Sequence, residues 1–600
     1  MPVLLLLCAW GPVSLLAARG DSLSVLYTRG INTAAWGTRL GYTSSPGCKT
    51  QLQFREALLS SLIQTGTGMK WKDQNTMSLT LSRPVLPLLS LRTSAESFLY
   101  KDRQTGFGSD IATHTLSVGA AYRSRSLQVP VSAGIKNDAR YGQNDTGLHY
   151  DVNAYAPHLE LGDYTNTLSA RHSYDKLNKR KNSDVNLSYS INRRFENNTS
   201  DSLNIGFGSM RRDYYLSSAG NIESRQEKNL RADNKLNYTV SEKIFCNIHT
   251  SLGSRTLSIY QVTDSAETLV RNREDFFTDI HSRLSLRLKP VNIFVTFRHE
   301  TLDQNYAISG ITGSAYANMA APDNKSSYST LSVSGSIKTG FDSVSVNSMI
   351  QRYRYDTPAD ENVDDRDELR ILANISYFHP FSHTLHAEFS AGINFHHRVY
   401  IFGQRSGDNN WTRIIKCNPS LIWRPSERIQ LSHRIAVLAN YVSYDFEEML
   451  PGIRSFVYRK LVSQDSLHIQ VTPKNSIRVT YQAEFDENGK FLYRDWAEER
   501  LFSRTRNIIE VRNVYNPCRK VRIGTGYSWF VQEGKQYGPY VTASSSTALH
   551  YLQHGPCVEV TYRGQKMFLF AKANTLVTST KNLDSRHITR VTLTMNWALN

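Results

Sequence analysis

Beyond its first residues the sequence has no run of about eighteen consecutive apolar side chains, so it offers no helix that could cross a bilayer. Cysteine and proline are scarce, at 6 and 18 in 600 residues. Five cysteines follow the leader: Cys48, Cys246, Cys417, Cys518 and Cys557. Their odd number and the lack of C-x-x-C spacing argue against a zinc site and a fully paired disulfide framework. Cys518 and Cys557 fall in expected turns, where one disulfide could form, but half-buried free thiols fit better. Helical periodicity is almost missing, and "QFREALLSSLIQ" (53–64) is the exception, read as a short helix. The phosphate-cradling G-x-x-x-x-G-K-[ST], the zinc-binding H-E-x-x-H and the nucleophile turn G-x-S-x-G are also lacking. The expectation is a protein that is not an enzyme and takes no cofactor or metal.

What is present is period-two alternation. In "LHIQVTPKNSIRVTYQAEF" (467–485), Leu467, Ile469 and Val471 share one parity, and Ile477, Val479, Tyr481, Ala483 and Phe485 continue it after the break. His468, Gln470, Thr472, Arg478, Thr480, Gln482 and Glu484 take the other. This is a hairpin with one apolar and one polar face. The last segment repeats the pattern, with Val591, Leu593, Met595 and Trp597 opposed by Arg590, Thr592, Thr594 and Asn596. Tight breaks recur roughly every 40–50 residues, at twice the strand spacing of a meander. They fall near Lys289-Pro290, Gly340-Phe341, Pro380-Phe381, Arg424-Pro425, Pro473-Lys474, Asn516-Pro517 and Gly555-Pro556. Between them lie longer polar breaks such as "DTPADENVDDRDE" and "FGQRSGDNNWT".

Strands of this length exceed the usual soluble strand and match what a tilted strand needs to cross a bilayer. A propeller would need four short strands per period and a repeated signature. An open sandwich would leave edges to protect, whereas a barrel closed in lipid has none. The pattern resembles a large outer-membrane β-barrel of the Gram-negative type over about residues 21–600. The resemblance implies an all-β fold: one antiparallel up-and-down transmembrane barrel of about 26 strands, range 24–28, with short periplasmic turns and long extracellular loops. Pro425, Pro473 and Pro517 are then periplasmic, and Asp364, Asp408 and Asn488 external. Such barrels usually end in an aromatic residue that assists assembly; here Trp597 stands three positions early. Mean hydropathy of −0.42 suits a wall whose other face is wet.

Residues 1–20, "MPVLLLLCAWGPVSLLAARG", read as a secretory signal, although no Lys or Arg precedes the apolar run. Ile477, Val479, Tyr481, Val591, Leu593 and Trp597 are expected to face acyl chains. The formal charge is +17. On the polar parity, Arg478, Arg504, Arg506, Arg512, Arg522, Arg563 and Arg590 form a basic band facing the lumen. Two readings of this band compete. One is an electropositive path for anionic solutes or lipid phosphates. The other is an Arg–carboxylate network, with Glu484, Glu510 and Glu559, that stiffens the wall. His396 and His397 are adjacent in a strand and cannot share a metal. The acidic stretch Asp360, Glu361, Asp364, Asp365, Asp367 and Glu368 lacks an EF-hand spacing and reads as a solvated outer loop.

The expected function is a pore or export barrel for anionic solutes or lipid in the outer membrane, its lumen plugged by loops or by a periplasmic or lipoprotein partner. The alternative is an outer-membrane scaffold without transport. Outer-membrane lipids and the barrel-assembly machinery are the other expected partners, and no nucleic acid is expected.

Overall fold

In a computed structural model, the described residues are 21–599 except 46–49, 106–108, 217–219, 263–266, 309–322, 359–362, 450–454, 538–546 and 581–582. The expected signal segment lies outside them, as does Cys48. Twenty-eight antiparallel strands follow one another, numbered here in chain order, in lengths from 8 to 22 residues. Each pairs with the strand before and after it, and the last returns to the first. β1 (Ser22–Arg29) closes on β28 (Leu583–Ala598) with Ser22 opposite Ala598 and Arg29 opposite Val591. Among the described residues no sheet edge is left over along this seam below Val591, as a wall in lipid requires.

Following the ladder partners once around the wall returns to β1 displaced by about 32 residues, which sets a strand tilt of about 38° and a backbone-to-backbone diameter of about 55 Å for a circular section. The ladder keeps each parity on one face from strand to strand. In β18 (Arg366–Pro380) and β19 (Leu385–Tyr400), Leu369, Ile371, Ala373, Ile375 and Tyr377 sit with Leu385, Ala387, Phe389, Ala391, Ile393 and Phe395 on one face. At the same tilt, that stretch makes an apolar band about 25 Å tall. A closed antiparallel barrel carrying such a band is built to sit in a bilayer. The chain is an outer-membrane β-barrel.

The two ends differ. The lower end carries both ends of the barrel segment and the tight turns; Pro473 and Lys474 join β22 (Phe456–Thr472) to β23 (Asn475–Leu492) there. From the fifteenth strand onward most upper strand ends are separated by longer stretches of chain, 309–323, 357–365, 401–409, 445–455 and 537–546. In the first third the upper connections are as tight as the lower ones: Gly66 and Thr67 join β3 (Gln51–Thr65) to β4 (Gly68–Leu86), and Tyr141 and Gly142 join β7 (Gln128–Arg140) to β8 (Gln143–Leu161). The expected short–long alternation therefore holds only for some of the later strands; the outer loop expected around Asn488 is the upper part of β23, and 493–496 is a four-residue connection. Tyr141 and Gly142 both take positive φ, which a two-residue hairpin turn needs.

Three local expectations are corrected. The helix at 53–64 is strand β3; Leu58 and Leu59, like Leu62 and Ile63, put apolar groups on both parities and blur the period, and pairing with β4 overrides it. Pro425 and Pro517 belong to the last residues of β20 (Asn410–Ser426) and β24 (Ala497–Cys518), with the turns falling two residues later. Gly555-Pro556 lies inside β26 (Thr547–Arg563), and the turn comes at 564–566. The ladder to β27 (Met567–Thr580) skips from His554↔Val577 to Cys557↔Asn574, which is where a residue without an N–H fits a strand.

Several glycines on the polar face are crowded by the backbone of the neighbouring strand. A Cβ on Gly134 would lie 1.9 Å from the carbonyl oxygen of Leu116 on β6 (Ser109–Arg123), and one on Gly555 would lie 1.9 Å from that of Thr575. Gly119, Gly147 and Gly253 are crowded in the same way.

Candidate basic wall

Register places the seven basic-band arginines on the polar face of the last six strands, in two groups. Arg504 and Arg506 on β24 stand opposite Asp486 and Glu484 on β23. Arg504 reaches Asp486 at 2.9 Å, and Arg506 reaches Glu484 at 2.6 Å and Asp486 at 3.3 Å. Lys460 on β22 adds a 2.6 Å contact to Glu484. Both carboxylates are buried. Arg512 pairs with Glu510 and, at 3.4 Å, with Glu559. These three arginines belong to a charge-paired network. Desolvated pairs of this kind bring rigidity and register rather than a free field, and losing one partner strands the other.

The second group is different. Arg478, Arg522 on β25 (Val521–Gln536), Arg563 and Arg590 are exposed and have no ion pair among the described residues. Arg563 lies 5.9 Å from the Phe568 ring centroid. Arg478 sits three residues above its lower turn, and Arg522 and Arg563 flank theirs. The same division runs round the rest of the wall. On the polar face near the lower turns, Arg92, Arg283, Lys338, Arg424 and Arg434 are exposed and without an ion pair among the described residues. Arg283 lies 4.4 Å from the Phe294 ring centroid, and Arg424 reaches only the Gln430 amide oxygen at 3.3 Å. Glu160, Glu388 and Glu559 are among the few carboxylates on that stretch. Higher up, carboxylates are frequent and taken: Asp102 by Lys72 at 3.5 Å, Asp275 by Arg273 at 2.8 Å, and Glu368 by Arg366 at 2.9 Å.

Sequence reasoning confined the band to the last third of the chain and missed its separation by height. The signal was available: in "LSLRTSAESFLYKD" and "NSIRVTYQAEFDENG" the arginine comes soon after the turn and the carboxylates later.

The densest upper cluster centres on Arg180, in the turn before β10 (Lys181–Arg194), which is fully buried. Its guanidinium donates to Asp145 at 2.7 Å and to Asp138 at 2.9 Å, and lies 4.7 Å from the Tyr215 ring centroid. Tyr215 also donates to Asp145, at 2.7 Å. Burial works against the charge of Arg180, but the two aspartates outweigh it and push its pKa up. Nothing in the sequence pattern pointed to this cluster, because its members come from three different hairpins.

The apolar-face residues keep their parity. Ile477 pairs with Ile469, Val479 with Leu467 and Val511, and Tyr481 with Ile509. Val591 pairs with Ala573, Leu593 with Ala571, and Trp597 with Met567 and Leu23. That face is not free of polar groups: Asp465, opposite Tyr481, meets His433 at 2.6 Å. His396 and His397 point to opposite faces, His396 to Glu368 at 2.9 Å and His397 to Asp445 at 2.9 Å, stacked on Trp411. Of the acidic stretch, Asp360 and Glu361 lie outside the described residues; Asp364 meets Arg405 and Asp365 caps Thr357. Cys518 and Cys557 are free thiols, Cys557 buried within β26 rather than in a turn. Among the described residues no group of three or more His, Cys, Asp or Glu is arranged to hold a metal.

The sequence matches no protein-family model and no curated protein. Solved structures give weak similarities. BauA, the ferric preacinetobactin receptor from Acinetobacter baumannii, aligns over 97% of this chain and 80% of its own at 10% identity and a TM-score of 0.37. The copper transporter OprC covers 85% of each chain at 9% identity and 0.38. The FrpB iron transporter from Neisseria meningitidis covers 79% and 82% at 7% identity and 0.37. At such values no residue role passes from them to this chain, and the account rests on the wall itself.

Proposed function

We propose that this barrel is a conduit whose polar face lines the lumen and draws anionic solutes or lipid phosphates, with the lower end in the periplasm. The apolar face, including Ile477, Val479, Tyr481, Val591, Leu593 and Trp597, then meets acyl chains. The observation that carries the functional reading is the exposed, unpaired set Arg478, Arg522, Arg563 and Arg590. A wall with one sign of uncompensated charge raises the local concentration of the opposite ion. Screening limits its reach to about 8–10 Å at physiological salt, so the effect acts on what travels along the wall. Arg504, Arg506 and Arg512 hold strands together instead.

A lumen of about 55 Å between backbones is far wider than that of a 16–18-stranded porin and would breach the membrane if left open. Loops or a periplasmic or lipoprotein partner therefore close it in this reading. Residues 1–20 serve as the signal peptide, and the assembly machinery and outer-membrane lipids complete the partners. The scaffold reading, without traffic, draws on the charge-paired upper wall, which needs no solute to explain it. Single-channel recording separates the two. A conduit gives anion-preferring openings that weaken in the R478Q/R522Q/R563Q variant, whereas a scaffold gives none under any treatment that clears the lumen.

A further inference from the structure

The lower polar face is charged as a seat, and we infer that it docks an acidic, folded soluble partner that enters the barrel from the lower mouth. This rests on the conduit reading above and adds the partner's chemistry and its route. Three observations carry it. First, the described strands touch only strands near them in the wall, so nothing among the described residues fills the centre. Second, exposed cations without an ion pair among the described residues, Arg92, Arg194, Arg283, Lys338, Arg434 and Arg478, sit near the lower turns of six strands from the fifth to the twenty-third. Third, the carboxylates of the upper wall are already engaged by its own Arg and Lys, as with Asp486 and Arg504 or Asp275 and Arg273. An acidic body therefore finds most of its free partners below, with Arg590 and Lys416 at mid-height.

Size agrees with charge. Side chains on both walls reduce the free width to roughly 35–40 Å, and a globular domain of about 100–150 residues, with a radius of gyration of about 13–15 Å, fills such a span. A ring of cations binds a rigid body better than a flexible one, because several contacts form without each costing separate ordering. Long-range attraction toward the mouth speeds capture, and salt weakens it. A dispersed anionic lipid could use single arginines, but it would gain nothing from their arrangement in a ring.

The test uses the full-length barrel in planar bilayers, its orientation fixed by protease cleavage of the long upper loops from one chamber. The probe is a folded acidic protein of about 120 residues, added to one chamber and then the other, with dispersed anionic phospholipid as a separate arm. The variant is R92Q/R283Q/K338Q/R434Q, checked for an intact heat-modifiable barrel. The expected result is long blockades from the lower side only, shortened about ten-fold in the variant and by raising KCl. Blockades equal from both sides, unchanged in the variant, or produced by the phospholipid and not by the protein would overturn the inference. Ion selectivity is read in the same bilayers before the probe is added. An anion-preferring channel that the protein never blocks removes the docking seat and leaves the conduit; a cation-preferring channel removes both.

Discussion

Arg478 and Arg512 stand directly opposite each other on the β23–β24 ladder, yet among the described residues only Arg512 has carboxylates, Glu510 and Glu559, to answer it. Two like charges facing across a ladder are destabilising unless something compensates. Here one of the pair is neutralised within the wall, and Arg478 is left to whatever occupies the space beside it. The two groups of arginines should therefore respond differently to substitution.

Replacing Arg504 and Arg506 by Gln leaves Asp486 buried without a charge partner and Glu484 with Lys460 alone. The expected outcome is loss of folded barrel, about 3–5 kcal/mol for a stranded buried charge. Heat-modifiability on gels reads it directly. R478Q should leave the folded fraction unchanged or slightly raised. Equal losses in the two variants would mean that Arg478 has a structural partner after all.

Arg180→Leu applies the same logic in the upper wall, where Asp145 would lose its cation and Asp138 would keep only Arg140, at 2.8 Å. A cost of about 3–5 kcal/mol is expected, with faster amide exchange around β7 to β10. Adding D145N to R180L should restore much of it, because Asp138 still has Arg140. Failure of that rescue would show that Arg180 acts through packing on Tyr215 rather than through charge.

Parity predicts a contrast for lipid exposure. Val479→Arg and Leu593→Arg should each cost about 2–4 kcal/mol near the midplane, and Thr480→Arg and Thr592→Arg little. Refolding yields into lipid vesicles measure both sets. Similar losses in both would mean that the polar face is packed and dry.

Orientation is tested with single cysteines at Asp408 and Lys474 in a background free of native cysteine. An impermeant thiol reagent on intact cells should label position 408, in the long connection before β20, and spare 474. The opposite pattern would invert the barrel and turn the exposed cations outward from the cell.

Much of this architecture could be read from the sequence because period two survives where one parity is strictly apolar, as from Leu467 to Phe485. It failed at β3, where Leu58 and Leu59 occupy both faces, and at Pro556, where a proline inside a strand imitated a turn. The basic band was visible as parity, but its division was not. Whether Arg506 is free or paired depends on Glu484 standing opposite it, and that requires a register between two strands, which alternation alone does not fix. The Arg180 cluster was invisible for the same reason, since Asp138, Asp145 and Tyr215 meet only once several hairpins are aligned.

The most direct test of the central claim is the reversal potential of the purified, reconstituted barrel across a KCl gradient, after a high-salt wash to clear the lumen. The account predicts a potential on the chloride side of zero that moves toward zero when Arg478, Arg522 and Arg563 are replaced by Gln. A wild-type channel that prefers potassium, or one whose anion preference ignores those three arginines, would contradict it.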